Sequence, residues 1–189
     1  MKKGYRNRAL TIRFHRIAPG ELRAAKQIAQ RAGVVEHRYV TIPELREAGD
    51  IERKERFQDL PRTYVPNRNM IFYSLAASYA EEVGSNYIIG GHNASDTGMF
   101  ADTRPEFFRT LQTTIWSASR RLKEARTTIL RPLQHMTKSE VVRRASGLGV
   151  PLEMTWSCHK ERSTHCWECE GCRGRISAFK LAGIEDRLR

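Results

Sequence analysis

All four cysteines of this chain fall in one short run, CHKERSTHCWECEGC, at Cys158, Cys166, Cys169 and Cys172. Two successive Cys-x-x-Cys steps with a fourth thiol across a short loop have the ligand spacing of a closed tetrahedral zinc site. A Cys-x-x-Cys turn presents two thiolates together, and zinc takes deprotonated sulfur at about 2.3 Å. Four thiolates leave no open coordination position. The spacing therefore predicts one structural ion per chain, tying the loop to a C-terminal helix in GCRGRISAFKLAG, and not a catalytic Lewis acid. An iron–sulfur cluster could use the same thiols. Four clustered thiols exceed what a redox pair needs, and a reducing compartment disfavours disulfides. His159 and His165 lie beside ligands but read as solvated loop residues, since the sulfur set is already complete.

The compartment follows from two features. The N-terminal MKKGYRNRALTIRF is basic but has no apolar run or small-residue cleavage site, so no secretion signal is expected. No stretch approaches the ~18 apolar residues that would span a membrane. A cytoplasmic location is the expectation. The formal charge of +12, from 33 basic and 21 acidic residues, favours anionic partners such as nucleotides or RNA. The basic residues are scattered, which is equally the pattern of a solvated basic surface.

Hydrophobic periodicity supplies the fold class. Leu10 to Phe14 alternates as a strand, and Gly20 to Ala32 repeats apolar residues at helical spacing through Leu22, Ala25, Ile28 and Ala29. A second strand is expected over Val34 to Ile42, with a short helix opening at Pro43-Glu44-Leu45. Gly49 to Tyr64 has no period and reads as a mobile connection. From Met70 the chain is apolar nearly all round until Gly84, a buried helix with a glycine stop. A strand at Asn86 to Ile89, a helix from Pro105 to about Lys123, a strand in TTILRPL and a helix from Lys138 to Leu148 complete the alternation. This order predicts an α/β fold with a parallel sheet flanked by helices and ligands at the carboxyl ends of its strands. Residues 1–150 are assigned to this domain and 151–189 to the cysteine element with its helix.

Gly90-Gly91-His92-Asn93-Ala94-Ser95-Asp96 resembles a phosphate loop only superficially. Such a loop follows a buried strand and opens directly into a helix, whose free N–H groups bind the anion. Here the next helix signal is Arg104-Pro105-Glu106, so the sequence predicts a loop of roughly a dozen residues, longer than a βα connection usually needs. Loops of that length usually serve function.

With these residues in place, the chain resembles the 7-cyano-7-deazaguanine synthase (QueC-like) family over nearly its whole length. The motifs that carry the resemblance are VPNRN at Val65 to Asn69, GHNASD and DTRPEF across Gly91 to Phe107, PLQHMTKSEVV at Pro132 to Val142, and GVPLEMTWSC leading into the cysteines. The resemblance implies an adenine-nucleotide α-hydrolase-like (Rossmann-like) fold, a bound Zn2+, and ATP-driven conversion of 7-carboxy-7-deazaguanine and ammonia to the nitrile, with Mg2+ accompanying ATP. It places Asn93, Asp96, Asp102 and Arg104 in a substrate-holding segment: carboxylates suit the donor-rich amino-pyrimidinone edge, and a planar guanidinium suits an anion. Phe107 and Trp156 are candidates to stack on the heterocycle. Arg68, Asn69 and Gly91 are candidates for nucleotide contacts, and Lys138 for stabilising phosphate charge during catalysis. Each has a plainer role: helix capping for Asp102 and Asn69, core packing for Phe107, solvation for Lys138.

Two departures stand out. The family's Ser-Gly-Gly-x-Asp-Ser signature is absent from the sequence, and Phe14-His15-Arg16-Ile17-Ala18-Pro19 replaces a Tyr-Gly-Gln-Arg-His-like run. The resemblance puts the signature before Met1; a second polypeptide supplying it, or a chain without activity, are the competing accounts. A tRNA-modifying member of the same ATPase group, or a zinc-containing tRNA-binding module with Arg173, Arg175 and Lys180 on its last helix, is the alternative function. Small-molecule substrates rank above direct nucleic-acid binding. A homodimer is compatible with the sequence, which does not fix the oligomeric state.

Overall fold

A computed structural model describes residues 4–15, 17–52, 54–160 and 162–189. Arg16, in the divergent run, lies outside them. The regular elements are β1 (Arg8–Phe14), α1 (Pro19–Arg31), β2 (Glu36–Ile42), α2 (Arg68–Val83), β3 (Tyr87–Ile89), α3 (Ala94–Met99), α4 (Pro105–Ala118), α5 (Arg120–Glu124), β4 (Thr128–Leu130), α6 (Lys138–Gly147) and α7 (Glu170–Ala182). The chain is α/β with parallel strands, in two compact units: Met1–Tyr64 with Lys138–Arg189, and Val65–Thr137.

In the first unit β1 and β2 pair in parallel from Arg8↔Glu36 to Phe14↔Ile42, with α1 as the crossover that parallel pairing requires. Pro19 sits in the first turn of α1, where its missing N–H is no loss. No helix opens at Pro43. Leu45 N–H donates to the Ile42 carbonyl to close a turn, and Ala48 and Gly49 N–H donate to the Tyr64 and Arg62 carbonyls. The segment Gly49 to Tyr64, expected as a mobile connection without period, is entered by one single-turn 3₁₀ stretch, Ala48–Asp50, and holds another, Lys54–Phe57. Helix α6 packs on α7 through Val142, Ala178 and Phe179, with Leu152, Ala182 and Ile184 against them. Arg175 of α7 lies buried beneath this contact. It donates to both Asp186 oxygens at 2.6 and 2.8 Å, to the Thr155 hydroxyl at 2.6 Å and to the Leu152 carbonyl at 3.0 Å.

In the second unit β3 and β4 pair in parallel, Tyr87↔Thr128 to Ile89↔Leu130. Ile88 and Ile129 point into a core with Tyr73, Ala77 and Ala80 of α2, Phe108, Leu111 and Ile115 of α4, and Leu122 of α5. Each Leu, Ile or Phe side chain among them stabilises the fold by about 1.5–3 kcal/mol when taken from water. Helix α2 ends as its glycine predicts: Gly84 takes φ +66°, and Ser85 N–H donates to the Ala80 carbonyl. The expected single helix from Pro105 to Lys123 is two helices. Ser119 leaves helical geometry (φ −134°, ψ 114°), accepts from Leu122 N–H and donates to Glu81 at 2.7 Å. A serine that can cap and reach a carboxylate gains more at the break than inside a helix. Gln112 of α4 lies along the ladder side of β4, accepting from Ile129 N–H at 2.8 Å and donating to the Thr127 carbonyl at 2.9 Å. An amide here stands in for a neighbouring strand.

The described residues form two two-stranded parallel pairs rather than one sheet covered on both faces. The runs YII and TIL are apolar at consecutive positions, the signature of strands buried on two sides. Only Ile88 and Ile129 are buried, whereas Ile89 is 63% exposed.

Candidate functional site

The sulfur cluster is local. Cys169 precedes α7 and Cys172 lies in its first turn, while Cys158 and Cys166 arrive on the loop before it. All four Sγ atoms lie within 4.8 Å of one another, with Cys166 to Cys172 at 3.8 Å and Cys158 to Cys169 at 4.0 Å. Sulfurs arranged tetrahedrally about one zinc at ~2.3 Å would be ~3.8 Å apart, and a disulfide would need ~2.05 Å. The four cysteines are free. Backbone donors surround them as they surround metal-bound thiolates: Glu168 and Cys169 N–H point at Cys166 Sγ, and His159 N–H at Cys169 Sγ. The Glu168 and Cys169 N–H groups bring the Cys166 thiol down to about 6, so it is a thiolate near neutral pH. Burial pushes Cys172 up to about 12, a cost that a bound cation removes. These residues could hold a metal ion.

Neither flanking histidine joins the four sulfurs. His165 Nε2 accepts from Ser157 N–H at 3.2 Å, and its ring lies between Trp156 and Trp167, with centroids at 4.3 and 5.0 Å. The Trp156 indole donates to the Cys158 carbonyl at 2.7 Å and rests on Gly20 of α1, where any Cβ would collide with the ring. Gly171 is required for a similar reason: a Cβ would run into the Ser157 carbonyl. Lys138, the first residue of α6, is exposed, with its ammonium beside Gly174 of α7.

The second unit holds the strand ends. Gly90 N–H donates to the Leu130 carbonyl at 3.0 Å, so the chains leaving β3 and β4 depart side by side. The expected dozen-residue loop does not follow. Asn93 caps α3 directly: its Oδ1 accepts from Ser95 N–H at 2.9 Å, and Asp96 Oδ2 accepts from Asn93 N–H at 2.9 Å. This reciprocal capping box fills first-turn donors that a phosphate would otherwise use. The helix, six residues long, is too short to show a hydrophobic period; the signal in the sequence was the Asn-x-x-Asp spacing.

Asp102 lies in the single turn Ala101–Thr103 and faces the start of α2. Its Oδ2 accepts from Asn69 N–H and its carbonyl from Asn69 Nδ2, both at 3.1 Å. Asn69 is buried, Arg68 half-buried and Arg104 exposed at the N-cap of α4, while Phe107 packs edge-on against Phe108. Gly91 is exposed, and a Cβ there would meet nothing. The structure therefore brings Asn69 to Asp102 and Asn93 to Asp96, and sets Lys138, Trp156 and the cysteines in the other unit.

Sequence reasoning missed four residues at these strand ends. Tyr73, His92 and Arg131 surround the buried Phe108 ring, with Tyr73 and His92 centroids at 5.1 and 5.2 Å and the Arg131 guanidinium carbon 4.3 Å from the ring centroid. Burial raises the Tyr73 hydroxyl to about 12, against the pull of Arg131, so it stays a neutral donor. Burial also lowers His92, against the pull of Asp96. The available signal was position alone: His92 and Arg131 follow the last residues of two adjacent parallel strands.

The family model for the queuosine biosynthesis protein QueC matches residues 1–183. A 7-cyano-7-deazaguanine synthase of Thermoplasma acidophilum is 36% identical over 196 aligned positions, covering 98% of this chain and 82% of the relative. Synthases of the same name from Rhizorhabdus wittichii and Novosphingobium aromaticivorans are each 38% identical, over 98% and 100% of this chain and 85% of each relative.

Proposed function

This chain belongs to the QueC family, and from that membership we propose that it makes 7-cyano-7-deazaguanine from 7-carboxy-7-deazaguanine and ammonia at the expense of ATP. The match across residues 1–183, with synthases more than one third identical over nearly the whole chain, is the observation that carries this reading. The protein acts as an enzyme on a small molecule, and among the described residues no helix is long and apolar enough to cross a membrane.

The chemistry dictates what the site must do. A carboxylate is a poor electrophile, so its oxygen attacks the nucleotide α-phosphorus, releasing pyrophosphate and leaving an acyl adenylate. Ammonia displaces AMP to give the amide. The amide oxygen then attacks the α-phosphorus of a second ATP, releasing pyrophosphate, and loss of AMP with the remaining nitrogen protons leaves the nitrile. Each step develops negative charge on oxygen, which N–H donors and cations stabilise.

Asn93, Asp96, Asp102 and Arg104 are the proposed contacts to the acid. Capping leaves Asp96 Oδ1 and Asp102 Oδ1 without a partner among the described residues, so each carboxylate can still accept from the pyrimidinone edge. Phe107 offers a ring next to Phe108. Arg68, Asn69 and Gly91 are the proposed nucleotide contacts, with Mg2+ on the phosphates. For Lys138, beside Gly174, and Trp156, packed on Gly20, resemblance is the whole support. The metal at the four cysteines is zinc, one per chain, with a structural role: all four positions are sulfur, so none is open to substrate.

The test is turnover. Protein that also carries the Ser-Gly-Gly-x-Asp-Ser segment missing from this sequence, supplied with the acid, ATP and ammonium, should yield the nitrile and two AMP per product, read by mass spectrometry. No nitrile and no AMP from zinc-loaded protein would contradict the assignment.

A further inference from the structure

Two of the side chains around Phe108 share an unusual property. The Tyr73 hydroxyl and Arg131 Nε are shut off from water and have no hydrogen-bond partner among the described residues, and the same holds for Gln134 Oε1. Native interiors seldom leave donors unmet, so each such group calls for an explanation. Arg131 also makes no ion pair among the described residues; its guanidinium lies over the face of Phe108, with the Tyr73 hydroxyl close enough to feel its charge. Its side chain as a whole is only half-buried, so an incoming group can reach the guanidinium fork from outside.

Location turns this into a site. Arg131 is the residue after β4, and Tyr73 lies against Gly90, the residue after β3; a Cβ on Gly90 would collide with the hydroxyl. The joint carboxyl ends of adjacent parallel strands are where α/β folds hold ligands. Two donors, one on a permanent cation, require an acceptor that carries negative charge. A metal ion is repelled there, and an apolar ligand would leave both donors unmet.

We propose that Arg131 and Tyr73 together hold an anionic oxygen at the paired carboxyl ends of β3 and β4. The oxygen is that of a ligand carboxylate or of a nucleotide phosphate, and which of these it is rests on the function proposed above. The guanidinium supplies charge and a fork, and the hydroxyl supplies a second, pre-positioned donor. Gly90 keeps that hydroxyl in place by having no side chain. Gln134, two residues past Pro132 on the same strand exit, offers an acceptor or donor to the remainder of the ligand.

The experiment reads Arg131 directly. In nitrogen-labelled protein, the side-chain Nε–H signal missing from R131K is followed during titration with inorganic phosphate, 7-carboxy-7-deazaguanine and ATP, each at constant ionic strength. The signal should move saturably with phosphate, and more tightly with whichever of the acid or ATP supplies the natural oxygen. Y73F should weaken that binding about tenfold while leaving thermal stability equal or higher, because the deleted hydroxyl has no protein partner to lose. A signal that moves with none of the three ligands overturns the site, as does a Y73F affinity equal to wild type. Movement with phosphate but with neither the acid nor ATP would leave the site standing and sink the proposed function instead.

Discussion

Asn69 and Asp102 hold each other at both ends: the Asp102 carboxylate takes the Asn69 backbone N–H, and the Asn69 amide reaches back to the Asp102 carbonyl. A carboxylate at the first turn of α2 meets unpaired N–H groups and the positive end of the helix dipole. D102A should therefore lower stability by about 1–2 kcal/mol in denaturant melts. D102N keeps an acceptor oxygen and should lose less than about 1 kcal/mol. If the free oxygen of Asp102 also grips the substrate, D102N weakens affinity for the acid about tenfold. Unchanged affinity in D102N would assign the residue to capping alone.

Gly90 and Tyr73 form a second coupled pair. G90A places a methyl group against the Tyr73 hydroxyl, with the ring carbon bearing it only 3.0 Å away and His92 Cδ2 at 3.3 Å. Overpacking of this kind costs about 1–3 kcal/mol. Removing the hydroxyl by Y73F should recover part of that loss, giving a non-additive double-mutant cycle. Strict additivity would contradict the geometry.

The Arg175–Asp186 pair gives the first unit an acid-sensitive fastening. Burial works to raise the Asp186 carboxyl, but the Arg175 hydrogen bonds more than offset it and hold it below its ordinary value. A depressed carboxyl contributes stability that is fully present above the unfolded value of about 3.9 and is lost as pH falls through the folded one. The wild-type melting temperature should thus decline below about pH 4, and D186A should flatten that decline. At neutral pH D186A leaves Arg175 buried without its counter-charge, a loss of about 3–5 kcal/mol. An acid limb that survives unchanged in D186A would refute the assignment.

Metal removal is the fourth test. The purified chain should carry one zinc, measured by plasma mass spectrometry. C172S, which alters a sulfur with no exposure to solvent, should lose the metal. Structural zinc contributes apparent binding free energy of about 10–16 kcal/mol, comparable with the whole stability of a domain. Chelation should therefore abolish the protection of α7 amides in hydrogen exchange. Protection that persists without metal would make the ion dispensable.

What was legible in the sequence was local. Cys166, Cys169 and Cys172 lie at three-residue steps where the loop enters α7, so their spacing specified a common centre, and Gly84 marked the end of α2 because its backbone takes φ +66° there. Helix α3 was missed although Asn93 and Asp96 spell a capping box, because a helix of less than two turns has no period to read. The break at Ser119 depends on Glu81, far away in the chain, and no propensity announces it. The grouping of Tyr73, His92 and Arg131 around Phe108 comes from three elements meeting on one ring, a tertiary fact. The exposed Ile89 is the converse case, where an apolar run correctly marks a strand without stating which of its faces is covered.

The most direct measurement is isothermal titration of 7-carboxy-7-deazaguanine into the zinc-loaded protein. A single saturable site is predicted, weakened by D102N. Protein with one zinc per chain and no heat of binding for that acid would contradict the account.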